Sequence, residues 1–182
     1  MRAGLLAEAR ECDLLVIGMP TEGVANNDPL AETLLNHELP LLRKAESSLL
    51  IVSTEPEPVQ TIVVSYEGDV AGKMALRLGG HLAEAANAAV RTLSVERDMD
   101  SAQRLATAAG RYLQAYKLAS VETLARTGQP ESETAVLAVA REASANLIVV
   151  GAEPYGRLER FITTVTAERV ALTTRTPVLV AR

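Results

Sequence analysis

Apolar residues along this chain fall into two kinds of run. Unbroken runs of four or five Val, Ile and Leu alternate with longer stretches in which apolar positions recur every three or four residues. The unbroken runs predict strands buried on both faces, as in a parallel sheet covered by helices on each side. The three-to-four spacing predicts amphipathic helices. Leu5 to Arg10 reads as a short helical run, and Asp13-Leu-Leu-Val-Ile-Gly18 as a strand apolar on both faces. Met19 to Asn27 is a polar loop. Asp28-Pro29 follows as an N-cap with proline at the first helical position. That helix is expected to run to about Asn36, break before Pro40 and resume to Ala45. Leu49 to Val52 is a second buried strand. Glu55-Pro-Glu-Pro58 cannot enter a sheet interior and reads as a linker.

The alternation then continues to the end. Ile62 to Ser65 predicts a strand, and the turn Tyr66-Glu-Gly-Asp69 leads into a helix capped by Asp69. Ala71, Met74, Ala75, Leu78, Leu82 and Ala85 form its apolar stripe. Gly72, Gly79 and Gly80 inside it imply close approach to the sheet, since each costs up to about 1 kcal/mol against Ala. Ala88 to Val95 is a strand, and Asp100-Ser-Ala-Gln103 resembles a capping box for the next helix. Val121 to Arg126 alternates like an edge strand. Gly128-Gln-Pro130 turns the chain, and Glu131 to Ala143 predicts a helix. The last unit, Asn146 to Arg182, reads as strand, glycine loop, helix and strand. The loop stands at the carboxyl end of a strand, where ligands of α/β sheets usually bind. Five strands and four helices between Thr61 and Ala181 predict an α/β fold with a parallel sheet and right-handed crossovers.

An internal repeat is also present. Glu11-Cys-Asp-Leu-Leu-Val-Ile-Gly18 matches Ser144-Ala-Asn-Leu-Ile-Val-Val-Gly151 in character, and Ser48 to Val52 matches Pro177 to Ala181. Residues 1–53 therefore read as the end of a partial second copy, 54–60 as a linker, and 61–182 as a complete domain. Leu14 to Ile17 would be an apolar edge in such an arrangement. The simplest docking is Leu49–Val52 against Val178–Ala181. Leu49, Ile51, Val178 and Val180 are thus the expected interface residues.

Composition narrows the function. Hydrophobic residues make up 48% but only five are aromatic, so the core must be Leu, Val, Ile and Ala. A net charge of -5 without a basic stripe argues against nucleic acid as a partner. No apolar run reaches the roughly 20 residues that span a bilayer, and the N-terminus is too acidic for a signal peptide. The default expectation is a cytoplasmic protein without membrane insertion. The one cysteine, Cys12, is expected to be a buried, inert thiol. His37 and His81 lack a nucleophile partner, and acid pairs such as Glu131/Glu133 sit where helix dipoles favour them. No catalytic constellation is visible, so the expectation is no enzyme and no metal.

The strand and turn Ile62-Val-Val-Ser-Tyr-Glu-Gly-Asp69, the Gly128-Gln-Pro130 turn, the run Ala145 to Gly151 and the ending Thr176-Pro-Val-Leu-Val180 together resemble the universal stress protein (UspA-like) family. The resemblance covers residues 60–182. It implies a Rossmann-like, adenine-nucleotide alpha-hydrolase-like sheet of five strands in the order 3-2-1-4-5, flanked by helices. It also implies dimers, often with last strands pairing antiparallel, tandem copies in some chains, and a role in stress response. ATP-binding members carry the pattern G-x2-G-x9-G-[ST], which here falls on Gly151, Pro154, Thr164 and Val165. Only the first glycine is kept, although Gly156 and Arg157 could substitute in part. The other half of such a pocket falls on Glu67, Gly68 and Asp69. Glu67 reads sooner as a solvated loop acid than as a ribose ligand, and Asp69 as a helix cap. With Glu153 these acids would repel a triphosphate unless a metal bridged them. The resulting expectation is a non-catalytic stress-family protein that acts by dimerisation or partner binding, with a degenerate nucleotide site. The alternatives are an ATP- or AMP-binding module and a detached regulatory domain of a transporter or sensor kinase.

Overall fold

A computed structural model describes residues 11–18, 45–52, 57–128, 133–152 and 161–182, with backbone only over 161–165. The expected helices before Ala45, the 19–27 loop and the centre of the Gly128–Pro130 turn lie outside them. The described elements are β1 (Leu14–Gly18), β2 (Ser48–Val52), β3 (Thr61–Ser65), α1 (Val70–Ala86), β4 (Ala89–Glu96), α2 (Met99–Leu113), β5 (Ser120–Thr127), α3 (Glu133–Glu142), β6 (Leu147–Gly151), α4 (Phe161–Thr173) and β7 (Val178–Ala181).

All seven strands form one sheet in the order β1-β2-β7-β6-β3-β4-β5. Counted from β3, the last five stand in the expected order 3-2-1-4-5, but the sheet does not stop at five. The outer side of β7 would present unpaired N–H and C=O groups. β2 covers it antiparallel, with Leu49 opposite Val180, Leu50 opposite Leu179 and Ile51 opposite Val178. β1 then pairs β2 in parallel. Every other neighbouring pair is parallel too. The described part of residues 1–53 therefore extends the sheet of residues 61–182.

The alternation of side chains divides the core between two faces. Ile62, Val64, Val90, Leu147, Val149 and Leu179 pack under α1 and α2, against Ala75, Leu76, Ala83, Ala109 and Leu113. Val63, Leu93, Ile148, Val150, Val178 and Val180 pack on the opposite side under α3 and α4, against Val136, Val139, Val170 and Ala171. Each fully buried aliphatic side chain stabilises the fold by roughly 1.5–3 kcal/mol.

The caps set where the helices begin. Asp69 caps α1 as expected, its Oδ1 accepting from the Gly72 N–H at 2.6 Å. α2 starts earlier than the expected capping box. Its N-cap is Asp98, whose extended backbone lets the carboxylate accept from the Ser101 N–H at 2.8 Å, leaving Asp100 in the first turn. That hydrogen bond holds the Asp98 carboxyl below its usual range. Among the three glycines of α1, Gly79 alone answers to the sheet directly, since a Cβ there would stand 2.7 Å from Val64 Cγ2. A Cβ on Gly80 would instead meet the Tyr116 ring beyond α2 at 2.9 Å.

One expectation of burial is corrected at the N-terminal strand: Cys12 is half-buried rather than buried. β1, apolar on both faces, is not covered on both; as the expected apolar edge it stands last in the sheet among the described residues, and Leu14 and Val16 are 46% and 58% exposed. β5 is the opposite edge. Its Glu122 pairs with Arg91 at 2.8 Å across the strands, as an exposed edge favours.

Candidate functional site

The chain leaves β3 towards β4 and β5 on one side, while β6 and β7 lie on the other. The topological switch point is therefore the crevice outside the carboxyl ends of β3 and β6. Three features build its described part: the turn Tyr66–Asp69, the first turn of α1, and Gly151 with Ala152.

β3 delivers the turn. The Tyr66 N–H donates to the Leu93 carbonyl at 2.9 Å, which prolongs the β3–β4 pairing by one residue. Tyr66 continues the Ile62, Val64 side of the strand, so its ring is buried. Burial, and then the Asp69 charge, push its hydroxyl above the ordinary tyrosine value. The chain reverses at Gly68, where φ is +79° and a Cβ would stand 2.6 Å from Leu105 Cδ2. Only glycine meets both demands. Asp69 then places its carboxylate on the Gly72 amide. One of the donors that would make the α1 N-terminus an anion site is thus already taken, and a negative charge sits in its place.

Gly151 closes the crevice floor. A Cβ on it would collide with the carbonyl carbon and oxygen of Ala71 and stand 2.8 Å from the Gly72 nitrogen. The backbone of α1 thus occupies the space a side chain would need, and this packing alone requires glycine. The Ala152 N–H donates to the Ala181 carbonyl at 3.0 Å and holds β6 and β7 together beyond their ladder.

Of the residues predicted for a site, the structure brings Glu67, Gly68 and Gly151 to this crevice. Glu67 is half-buried, not a fully solvated loop acid. Gly156 and Arg157 lie outside the described residues, as do Glu153 and Pro154. Leu49, Ile51, Val178 and Val180 lie together in the sheet, paired with one another within the chain. Among the described residues no three His, Cys, Asp or Glu side chains converge as metal ligands.

Sequence reasoning passed over Tyr66 here, and Glu168 and Arg182 beside the β2–β7 junction. Tyr66 carried a legible signal, the period-2 continuation of Ile62 and Val64. Glu168 of α4 and Arg182 carried none, because only the fold makes them neighbours. Glu168 is 5% exposed, and burial pushes the Arg182 guanidinium down to about 10 while the Glu168 charge opposes the shift. The Arg182 N–H also donates to Ser48 Oγ at 3.2 Å, which ties β2 to the carboxyl end of β7.

The described elements define an α/β protein, a parallel-dominated sheet with flanking helices and a switch point outside β3 and β6. Residues 58–182 match the universal stress protein family, and the chain belongs to that family. A universal stress protein from Archaeoglobus fulgidus is similar in structure, with a TM-score of 0.73 at 15% identity; the alignment covers 100% of this chain but 64% of that one. A functionally unknown Pseudomonas aeruginosa protein superposes at a TM-score of 0.65 and 22% identity, covering 100% of this chain and 67% of that one. A universal stress protein solved in complex with cAMP gives a TM-score of 0.60 at 23% identity, covering 69% of this chain and 98% of the other. This chain thus spans less than two thirds of the Archaeoglobus protein. At these identities the likeness establishes the fold. No curated protein is similar enough in sequence to count as a relative. Among the described residues no helix is long and apolar enough to cross a membrane.

Proposed function

We propose that this protein is a non-catalytic universal stress protein that acts through self-association or partner binding in the cytoplasm and does not use a triphosphate nucleotide. The observation that carries the reading is the filled crevice between β3 and β6. Asp69 occupies the Gly72 amide, and the Ala71 backbone fills the space beside Gly151. The described groups therefore do not fit a phosphate chain, which needs free amides and suffers beside an uncompensated carboxylate. Pro154, without an N–H, stands where ATP-binding members carry a glycine. The pairing of β2 on β7 bears on association. The last strand's outer edge, which often joins two family protomers, is used within the chain, so a dimer must use another surface.

The cAMP complex of one structural neighbour favours a second reading, an ATP- or AMP-binding regulatory module. Glu67, Gly68, Gly151, Gly156 and Arg157 would be its binding residues. Equilibrium dialysis of the purified protein against Mg-ATP, AMP and cAMP separates the two. The expected result is no saturable binding in the micromolar range, and saturable binding of any of the three reverses the order.

A further inference from the structure

The strand pairs β1–β2 and β6–β7 share one register, residue for residue. Leu15 faces Leu49 as Ile148 faces Val178, and Val16 faces Leu50 as Val149 faces Leu179. Ile17 and Ile51 then correspond to Val150 and Val180, and Gly18 and Val52 to Gly151 and Ala181. The antiparallel β2–β7 ladder centres on the Leu50–Leu179 pair, and the same twofold exchanges its outer two pairs. β6 has one neighbour more than β1. On its other side β3 runs parallel, with Ile62 opposite Leu147, Val63 opposite Ile148 and Val64 opposite Val149. The helix that follows β3 lies over this pair of strands, close enough that a Cβ on Gly79 would be 2.7 Å from Val64 and 3.8 Å from Val149. Leu147 and Val149 are therefore 5% and 0% exposed, whereas their counterparts Leu14 and Val16 are 46% and 58% exposed.

We propose that the outer edge of β1, unpaired among the described residues, binds a strand–helix unit of another polypeptide. Its strand is β-branched and aliphatic, runs parallel to β1, and stands opposite Leu14, Leu15 and Val16. Its helix presents a face of Gly and Ala to Leu14 and Val16, as α1 does to Leu147 and Val149. Backbone pairing supplies affinity and the apolar face supplies register. The described elements of a folded second copy supply no such unit, because β3 is paired on both sides. Among the described residues its open edges are β1 and β5. The first exposed residues of β5, Ser120, Val121 and Glu122, include a carboxylate committed to Arg91. A twofold β1–β1 contact would be antiparallel and would bring none of the described helices over Leu14 and Val16 as α1 lies over Leu147 and Val149.

The inference rests on the partner-binding reading and names its surface. The test uses the full chain and a fluorescent peptide of residues 57–88, the segment whose sequence fits the equivalent edge of β6. Saturable one-to-one binding is expected by anisotropy, with slowed deuterium exchange confined to the β1 amides. Val16→Lys and Leu14→Glu, both at exposed positions, should weaken binding at least tenfold while circular dichroism and the melting temperature stay unchanged. Absence of binding overturns the proposal. So does equal binding to both variants, or protection elsewhere than β1. A wild-type dimer that Val16→Lys converts to monomer also overturns it, by assigning the edge to a second copy. None of these outcomes alters the nucleotide dialysis, so the two readings fail separately.

Discussion

Replacing Gly151 by Ala asks whether that glycine serves packing or a phosphate. The added methyl would land on the Ala71 carbonyl and 2.8 Å from the Gly72 nitrogen, where ordinary contact begins near 3.4 Å. The obstructing atoms are backbone at the first turn of α1, so no side-chain tip can swing away. Relief requires β6 and α1 to separate, which also loosens the cap between Asp69 and Gly72. Overpacking costs about 1–3 kcal/mol, and a rigid backbone partner places this site at the upper end. A loss of about 3 kcal/mol corresponds to a fall in melting temperature of about 6–12 °C for a chain of this size. Gly18→Ala is the matched control. Gly18 occupies the same register position in β1, where a Cβ would meet nothing within 4 Å. Its change should stay within about 0.5 kcal/mol of wild type, as at an unobstructed surface position. Urea unfolding followed by circular dichroism measures both. If Gly151→Ala unfolds within 0.5 kcal/mol of Gly18→Ala, the packing argument is wrong. If it instead abolishes nucleotide binding without loss of stability, the glycine is kept for a ligand.

Two other outcomes follow from the same structure. Leu49→Ala removes a fully buried side chain at the β2–β7 junction and should cost about 2–5 kcal/mol, lowering one transition shared by all probes; a separate early transition would show β2 melting independently of the domain. Tyr116 is pushed up to about 12, chiefly by burial and then by its hydrogen bond with Tyr112. The unfolded chain ionises near pH 10 while the folded one keeps its proton. Stability should thus be complete below about pH 10 and decline up to about pH 12. Tyr116→Phe should flatten that part of the pH profile, read by tyrosinate absorbance alongside unfolding curves, and an unchanged slope would refute the assignment.

The residues differ in how openly they announced their places. Unbroken apolar runs, the alternation of Val121 to Arg126 and three-to-four spacing marked the strands and the first helices from Thr61 onward, because each pattern follows from backbone geometry within one element. Asp69 was legible as a cap for the same reason. Asp98 was missed in favour of Asp100, since two acids stood at workable spacings and backbone geometry chose between them. Glu168 and Arg182 were invisible, being neighbours only through the fold.

The sequence by itself determined that Leu14–Gly18 and Leu147–Gly151 are strands of one character, each followed by a partner strand of the same kind. Their hydrophobic pattern alone could not determine their opposite fates, and only the partial repeat with the strand order implied by the family resemblance marked Leu14 to Ile17 as an edge. β6 is flanked by β3 and roofed by α1, so all its residues are buried; β1 has the same pattern, yet has no strand or helix on its outer side among the described residues. Burial belongs to the whole assembly of elements, because the hydrophobic effect acts on surface that a neighbour removes from water, and a strand cannot supply its own neighbour.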